Sequence, residues 1–344
     1  MLQLQSKPDI LLSNGDLTTV LSAFGLSFCE INERYDTSHG PQDLRYSFIL
    51  DRKHVLKINS QRSIWEARLQ AISRLIDRYR SIGVYAPQLL HTIDGSLSHP
   101  VMLDGTLCTC FVEEYAIYPT YAWDAEHDRG EVVEHLGLLA AKYTNCDLSE
   151  IRSMWTIIDT APLDKPGIDE KQENAGTLIA ALRAHGEQAL ADGLETLNRS
   201  LRERIAEDFA ALPRCVYQGD LNNSNELQND GHFVGLIDFN NSGTDVNVNV
   251  FLNETNYFPG PEDFDNLSVP EILERIDTEQ EALLRVIWKH YKLNEPERRL
   301  LPYFKRIVDL FQYPNVCEMV KWLNDEARRD KCLSLLHGLL DKPL

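Results

Sequence analysis

Hydrophobic and polar positions divide the chain into two parts with different periodicity. From Ser27 to about Glu114, apolar residues alternate with polar ones or form short runs between polar turns, which is typical of β-strands. One segment of this part shows a helical apolar stripe instead, from about Ile64 to Ile82, with Ser63 as its N-cap and Gly83 as its stop. The strands are predicted in SFCEINERYD, LRYSFILD, HVLKINS, PQLLHTID, HPVML and LCTCFVEEY.

After Tyr118 the pattern changes to long amphipathic segments, which predict helices. An exception is VYQGDLNNSNELQNDGHFVGLIDFNNSGTD, Val216 to Asp245, which predicts two or three short strands among helices. The pattern therefore indicates an α+β protein with two lobes, residues 1–115 and a mainly helical lobe at 116–344. The helices are predicted at about Glu131–Asn145, Glu170–Gly193, Leu201–Leu212, Ile272–Tyr291, and twice more between Glu297 and Leu340.

Composition and charge exclude several classes of protein. The chain has 344 residues, 43% hydrophobic and 25% charged, which is ordinary for a folded protein. No apolar run approaches the roughly 20 residues that span a bilayer, and no secretion signal is evident, so we expect a cytoplasmic protein with no membrane partner. The net charge of −19 disfavours nucleic acid partners. It favours a cationic substrate, although solubility explains an acidic surface equally well.

Cysteine and hydrolase patterns offer no alternative chemistry. The seven cysteines are odd in number and form no CxxC pair, so disulfides and zinc sites both fit badly. Cys108 and Cys110 lie two apart in a predicted strand, and we expect them to be buried thiols. Neither a G-x-S-x-G elbow nor an HExxH helix is present.

The segment from Val216 to Asp245 combines carboxylates and amides in a spacing that suits a metal ion. Asp220 is followed five residues later by Asn225, and Asp238 ends the apolar strand VGLID. If the strands form a hairpin, these groups converge, and such hard oxygen ligands suit Mg²⁺. The alternative is a surface turn rich in Asp and Asn, which does not explain a carboxylate at the end of an apolar strand. Asp245 is either a further acid near the metal or the N-cap of the next helix.

The run QGDLNNSN followed by GLIDFN resembles the signature of the kinase-like phosphotransferases, which include aminoglycoside phosphotransferases, choline kinases and homoserine kinases. That signature is H-x-D-x-x-x-x-N followed by a hairpin ending in Asp; here Gln218 stands at the usual His position. The resemblance implies that Asp220 is the catalytic base and that Asn225 and Asp238 bind Mg²⁺. It also implies a two-lobed protein-kinase-like fold, with an N-terminal antiparallel sheet and one main helix before a helical C-terminal lobe.

The same resemblance extends upstream to the lysine motif. Lys57 in HVLKI resembles the third-strand lysine that contacts the α- and β-phosphates of ATP. Glu66 in the following helix would be its ion-pair partner. The alternative for Glu66 is a capping box with Ser63, and Glu113 is among the carboxylates that compete for the lysine.

Two further segments complete the expected nucleotide site. FVEEYA, Phe111 to Ala116, resembles the hinge, so that Glu113 and Tyr115 would present backbone groups to adenine. The loop that covers the phosphates is expected between Tyr35 and Phe48, where Gly40 is the single glycine.

Together these features predict an enzyme that moves the γ-phosphoryl group of ATP or GTP to a hydroxyl group of a small molecule, with Mg²⁺ as cofactor. Protein substrates are disfavoured because no D-F-G to A-P-E segment is present. Two alternatives remain open: a nucleotide-binding pseudokinase that acts by interaction, and a metal-binding module without nucleotide. The acceptor is expected beside residues 123–128, 154–169 and 253–265, whose acids favour an amine-bearing molecule: Asp124, Glu126, Asp128, Glu262, Asp263 and Asp265.

Overall fold

The structure is a computed structural model that describes residues 14–38, 40, 43–60, 64–103, 105–122, 128–161 and 165–344. The chain divides into two compact units. Unit 1 comprises Met1–Ala125 and Asn222–Asn240, and unit 2 comprises Glu126–Leu221 and Asn241–Leu344. Residues 222–240 therefore belong with the sheet-rich N-terminal unit. The lobe limits at residues 115 and 116 stay a prediction.

Unit 1 is built on a five-stranded antiparallel sheet with the strand order β1-β2-β3-β5-β4. Leu56 and Ile58 pair with Val112 and Cys110, so one face of the sheet is apolar. A helix that the sequence pattern did not predict, α1 (Asn14–Ser22), packs on this face through the buried Leu17, Val20 and Leu21. The strands are β1 Ile31–Asp36, β2 Arg45–Leu50, β3 His54–Asn59, β4 His99–Leu103 and β5 Thr106–Glu114.

The main helix of unit 1, α2, spans Glu66–Arg80, close to the predicted segment. Its N-cap is Trp65, which makes no side-chain capping bond, while the predicted cap Ser63 lies outside the described residues. Gly83 follows the helix with φ +89°, a conformation that favours glycine. The predicted stop signal is therefore located at the observed end of the helix.

The strand predicted at PQLLHTID does not form. Leu90 donates one backbone hydrogen bond to Val112 of β5, and Leu89 makes an isolated bridge to Glu113. The chain then turns, with the Gly95 amide donating to the Thr92 carbonyl. An apolar run of this length cannot by itself distinguish a strand from a buried connection.

A second hairpin, β7 (Glu226–Asn229) and β8 (His232–Leu236), completes unit 1. The Tyr85 amide donates to Val234 (2.9 Å), and the Leu236 amide donates to Tyr85 (2.8 Å), which attaches β8 to the end of the α2 connection. Together with the hydrogen bond from the Gln228 amide to Pro119 (2.9 Å), these bonds fix the hairpin in unit 1.

Unit 2 is mainly helical, with one two-stranded antiparallel sheet of β6 (Arg214–Tyr217) and β9 (Gly243–Val246). Within the described ranges, no helix is long and apolar enough to cross a membrane. The α+β organisation agrees with the sequence pattern. The helices are α3 Arg129–Tyr143, α4 Glu170–Ala184, α5 Gln188–Asp208, α6 Asn247–Glu254, α7 Pro261–Asn266, α8 Val269–Trp288, α9 Glu295–Phe311, α10 Tyr313–Asn324 and α11 Arg329–Asp341.

Two helix boundaries in unit 2 differ from the prediction. The break between α4 and α5 comes at Gly186, which has φ +82°, and not at Gly193. Gly193 lies inside α5, where a Cβ would come 2.9 Å from the side chain of Leu340. That glycine therefore permits close packing rather than ending a helix. The C-terminal region contains three helices instead of two, because the chain breaks at Gln312 before Pro314.

Candidate active site

Lys57 of β3 lies between two carboxylates of unit 1. Its Nζ is 3.0 Å from Glu113 Oε1 and 3.6 Å from Asp238 Oδ1, and its side chain is only 10% exposed. Glu113 reaches the lysine because Val55 pairs with Glu113 and Lys57 with Phe111, which puts both side chains diagonally on one face. One buried cation therefore faces two anions.

The electrostatics of this cluster hold the lysine in its charged form. Burial alone lowers the pKa of Lys57, but the nearby Asp238 and Glu113 outweigh it, so the pKa is raised. Burial raises the pKa of the Glu113 carboxyl, and the Lys57 ammonium opposes that shift. Asp238 is the most exposed of the three, with 43% of its side chain accessible, so it is the carboxylate that solvent or a ligand can reach.

Glu66 does not pair with Lys57. Its carboxylate accepts hydrogen bonds from the Leu97 amide (3.1 Å) and from the Ser98 amide (3.0 Å) and hydroxyl (2.6 Å). Gln70, one turn along α2, donates to it as well. The predicted Lys57–Glu66 ion pair is therefore wrong in this structure, because the register of β5 brings Glu113 to the lysine first. The predicted role of Glu66 in nucleotide binding stays a prediction.

Asp238 and Asn225 lie side by side at the open end of the β7–β8 hairpin. The amide of Ile237 donates to the Asn225 carbonyl (2.9 Å), so the residue before Asp238 is bonded to Asn225. Asp238 has φ +54°, an uncommon conformation for a residue other than glycine. Phe239 then packs edge-on against Tyr79 of α2, with ring centroids 5.5 Å apart, which holds the turn. Backbone strain of this kind is common where a side chain is aimed for function.

The donor set at the hairpin end fits Mg²⁺. Asn225 and Asp238 supply an amide oxygen and a partly exposed carboxylate, and Mg²⁺ usually takes one or two carboxylates and leaves the rest to phosphates and water. In the part of the chain that the structure describes, His, Cys, Asp and Glu form no group of three that could hold a metal ion. Asn225 and Asp238 are the residues of this hairpin that could hold a metal ion.

Asp220 belongs to unit 2, in the loop that follows β6. Gly219 has φ +81°, and a Cβ there would come 2.6 Å from the Asn241 carbonyl, so the position requires glycine. The Asp220 amide donates to Gln218 Oε1 (2.7 Å), and Asn241 Nδ2 donates to Asp220 Oδ2 (3.3 Å). Gln218 is fully buried. Its amide thus makes the structural hydrogen bond expected at the signature's first position.

Trp155 supports the Asp220 loop, and no sequence motif pointed to this role. Its indole Nε1 donates to the Gly219 carbonyl (2.6 Å). Its own carbonyl accepts from the fully buried Lys171 Nζ (2.8 Å) and from Asn249 Nδ2 (2.9 Å). The contact joins residues 64 positions apart, so no local pattern in the sequence could reveal it.

Behind this support lies Asp245, which is buried and does not cap α6. The N-cap of α6 is Val246, and the Asp245 carboxylate accepts from the Val246 amide (2.7 Å) and from Asn249 Nδ2 (2.9 Å). Burial raises the pKa of Asp245 to about 6, although Asn249 and the Lys171 charge act against it. The N-cap prediction is therefore wrong.

The predicted hinge and phosphate loop lie in unit 1. Tyr115 directly follows β5, and its amide already donates to the Lys53 carbonyl (2.8 Å). In the loop between β1 and β2, the Asp43 amide donates to the Gly40 carbonyl (3.0 Å). The backbone amide of Arg45 donates to the Ser38 hydroxyl (2.9 Å). His39, Pro41 and Gln42 lie outside the described residues.

A cavity in unit 2, called here the unit 2 pocket, has a volume of about 490 Å³. It contains Leu221, the residue after Asp220, and carboxylates from three elements. A larger cavity of about 700 Å³ between α4 and α5 contains none of the predicted site residues. The unit 2 pocket is lined by Asp128, Arg129, Leu221, Asn253, Glu254, Asn256, Tyr257, Glu279, Ala282, Leu283 and Gln312.

The acids expected near the acceptor differ in their surroundings. Asp128 lines the pocket and caps α3 through the Gly130 amide (2.7 Å). Asp263 binds Arg275 (2.8 Å), and Asp265 binds Arg328, so both are largely neutralised. Asp124 and Glu126 lie outside the described residues.

Comparisons with known proteins agree with this geometry. The sequence profile described as "Phosphotransferase enzyme family" matches residues 38–246, which include Lys57, Asp220 and Asp238. The comparison with curated protein sequences gives no match. Among solved structures, a microcompartment-associated aminopropanol kinase is 14% identical, covers 95% of each chain and gives a TM-score of 0.53, a likeness of fold.

Two other solved structures overlap less closely. A spectinomycin phosphotransferase in complex with ADP and spectinomycin is 12% identical over 96% of this chain and 94% of its own, with a TM-score of 0.48. An amicoumacin kinase in complex with AMP-PNP and Ca²⁺ is 12% identical over 95% and 93%, with a TM-score of 0.47.

Proposed function

We propose that this chain, which belongs to the phosphotransferase enzyme family, transfers the γ-phosphoryl group of ATP or GTP to a hydroxyl group of a small molecule. The family membership identifies the chain as a small-molecule kinase and confirms the resemblance found in the sequence. The predicted α+β kinase-like fold is confirmed as well. The choice of nucleotide, the use of Mg²⁺ and the class of acceptor go beyond the family and are our proposal.

The observation that carries the proposal is the buried Lys57 held between Glu113 and Asp238. A purely structural ion pair needs one carboxylate, whereas two around one ammonium leave a net negative charge. The exposed Asp238 can therefore exchange its longer contact with Lys57 for a metal ion, while Glu113 keeps the lysine in place. Lys57 would then contact the α- and β-phosphates, and Asn225 and Asp238 would hold Mg²⁺.

Asp220 would orient the acceptor hydroxyl and accept its proton, since its loop is fixed by hydrogen bonds on both sides. The hinge at Glu113 and Tyr115 would bind adenine through backbone groups. Bound Mg²⁺ would neutralise negative charge on the transferred phosphoryl group. Catalysis in this scheme rests on positioning and electrostatics rather than on a covalent intermediate.

For the acceptor, we propose a cationic or amine-bearing molecule. The net charge of −19 and the carboxylates of Asp128 and Glu279 in the unit 2 pocket support attraction of a cation, whereas Glu254 lies 3.9 Å from the Arg129 guanidinium. Matched hydroxyl acceptors with and without an amine test this. The amine form should have the higher kcat/KM, and its advantage should shrink as salt rises. A neutral sugar that is far better at every salt concentration would exclude a cationic preference.

The experiment that tests the reaction is a coupled ATP-consumption screen of amino alcohols, hydroxy amino acids, amino sugars and neutral sugars with Mg²⁺ present. We expect acceptor-dependent turnover with at least one of them. Asp238→Ala should also abolish the Mg²⁺-dependent increase in Tm that ATP gives the parent. If ATP protects the parent but no acceptor is phosphorylated, the pseudokinase alternative replaces the proposal.

A further inference from the structure

A left-handed residue with a branched side chain follows Trp155 in unit 2. Ile158 has φ +72°, and among the described residues other than glycine with positive φ it is the one that is β-branched. A side chain branched at Cβ strongly disfavours this conformation, so other contacts must hold the backbone there. Residues kept in such conformations are common at active sites and in switch regions.

Asp169 supplies the contact that holds Ile158. The Ile158 amide donates to Asp169 Oδ2 (2.9 Å), and Oδ1 accepts the Gln172 amide (3.0 Å) as the N-cap bond of α4. Arg202 of α5 donates to both oxygens at 2.7 Å in a bidentate pair. Asp169 is only 3% exposed, so these hydrogen bonds are shielded from water. The carboxylate thus joins α4, α5 and the backbone of Ile158.

The segment that ends at Ile158 carries the indole that supports the catalytic loop. Its other end is attached to β9, because the Ser153 amide donates to a carbonyl of that strand (3.0 Å). Trp155 lies between the two attachments and donates to the Gly219 carbonyl (2.6 Å). Gly219 directly precedes Asp220. A different backbone conformation at Ile158 would therefore redirect the indole away from this loop.

We propose that Asp169 is a positioning residue for phosphoryl transfer: it keeps Ile158 left-handed and thereby keeps the Trp155 indole on the loop of the catalytic base. Arg202 fixes the orientation of the carboxylate. As a statement about catalysis, this inference rests on the proposed function. As a statement about the order of the loop, it can be tested without turnover.

Asp169→Asn tests the contact. Asparagine can still cap α4 with its one oxygen, but it places an NH₂ group where Oδ2 accepts the Ile158 amide. We expect kcat to fall about 10- to 10²-fold, since small misplacements of a catalytic group have effects of this size. KM for nucleotide should not change, because Lys57 and Asp238 belong to unit 1. Amide hydrogen exchange of residues 217–222 should become faster.

A glycine at position 158 distinguishes this role from general stability. Glycine adopts positive φ without steric cost, so Ile158→Gly combined with Asp169→Asn should recover most of the lost kcat and of the lost exchange protection. Ile158→Ala in the same background is the matched control. It removes the same side-chain atoms beyond Cβ, but Cβ itself still disfavours the left-handed conformation, so its recovery should be severalfold smaller.

Arg202→Lys is a milder variant that keeps the test available if Asp169→Asn does not fold. Lysine keeps the positive charge but cannot form the bidentate pair, so the carboxylate is held less firmly. We expect kcat to fall severalfold with KM for nucleotide unchanged, and Ile158→Gly should again restore it. Thermal unfolding identifies which variants are folded.

Unchanged kcat, or unchanged hydrogen exchange, in both single variants would overturn the inference. So would equal recovery by glycine and alanine, or a rise in nucleotide KM as large as the fall in kcat. If exchange responds as expected but the parent phosphorylates no acceptor, the proposed function fails and the role of Asp169 in ordering the loop stands. If the parent phosphorylates an acceptor and Asp169→Asn does so equally well, the inference fails and the proposed function stands.

Discussion

The two units hold their candidate site residues by different forces. In unit 1, Lys57 is held by opposite charges, from Glu113 at 3.0 Å and Asp238 at 3.6 Å. In unit 2, the Asp220 loop is held by neutral donors and acceptors, from the Trp155 indole and the side chains of Gln218 and Asn241. Ionic contacts thus hold the candidate residue in unit 1, and hydrogen bonds from neutral groups hold the loop in unit 2.

This difference suits the two tasks. In the proposed reaction, phosphates and a metal ion would bind at the unit 1 cluster, so the cluster would need charges that can change partners. A proton acceptor must keep one orientation, and the hydrogen bonds from Asn241 and to Gln218 help to hold the Asp220 loop in one orientation. We therefore expect changes in unit 1 to alter nucleotide use and changes in the Asp220 loop to alter kcat.

Asp220→Asn should give the largest effect and tests the assignment for unit 2. Turnover should fall about 10²- to 10⁴-fold, the range usual for loss of a positioned general base. Nucleotide affinity should remain that of the parent, since the Lys57 cluster is unchanged. Steady-state kinetics and nucleotide titration measure the two quantities; unchanged turnover would show that Asp220 is not the base.

Lys57→Met tests the assignment for unit 1. It leaves two carboxylates without their cation, and breaking a buried pair of this kind costs about 3 to 5 kcal/mol of unfolding free energy. Use of ATP should fall more than binding of adenosine, because the lysine is assigned to the phosphates. Chemical denaturation and competition binding provide the two readings.

A double variant sharpens the same test. Lys57→Met with Glu113→Gln removes the unpaired buried charge, so part of the lost stability should return. ATP use should not return with it, because neither replacement can bind phosphate. Recovery of both would mean that Lys57 acts only through the stability of unit 1.

The contrast between the units also explains what the sequence could predict. Asp220, Asn225 and Asp238 were predicted from their spacing within one segment, and their roles and that of Lys57 were predicted from the resemblance to the kinase-like phosphotransferases. Glu66 was expected to be the partner of Lys57, with Glu113 among the competing carboxylates, and only the register between β3 and β5 decides which carboxylate is near. A local capping pattern at Glu66 gives no information about that register.

Contacts made across the fold were not predictable. The Trp155 support and the place of Gly193 inside α5 both depend on which distant residues pack nearby, as the approach of Leu340 to Gly193 illustrates. Asp245 similarly was expected at a helix end, but tertiary burial places it beneath the Trp155 support. Local patterns in the sequence therefore predict the candidate site residues better than the residues that hold them in place.

Asp245→Asn tests whether the buried Asp245 carboxyl makes the stability of unit 2 depend on pH. Its pKa is raised to about 6, above the unfolded value of about 3.9, so the folded state binds the proton more tightly. Stability from this group is present below about pH 4 and is lost as pH rises through about 6, by up to about 3 kcal/mol. The variant should lack this loss. The unfolding free energy of parent and variant is measured over the same pH range. If it changes with pH to the same extent in both, the assignment to Asp245 is wrong.

Trp155→Phe has the smallest expected effect and tests the neutral support most directly. The ring remains, but the hydrogen bond to the Gly219 carbonyl is lost. A single neutral bond contributes about 1 kcal/mol, so kcat should fall severalfold to about tenfold while KM for nucleotide stays unchanged. Trp288→Phe is the matched control, since Trp288 packs on Phe251 in the same unit and does not contact the loop. If both variants lower kcat equally, the effect is one of general packing. If only Trp155→Phe lowers it, and KM for nucleotide is unaffected, the indole orients Asp220 through Gly219, and the division between a charged nucleotide part and a neutral catalytic part is supported.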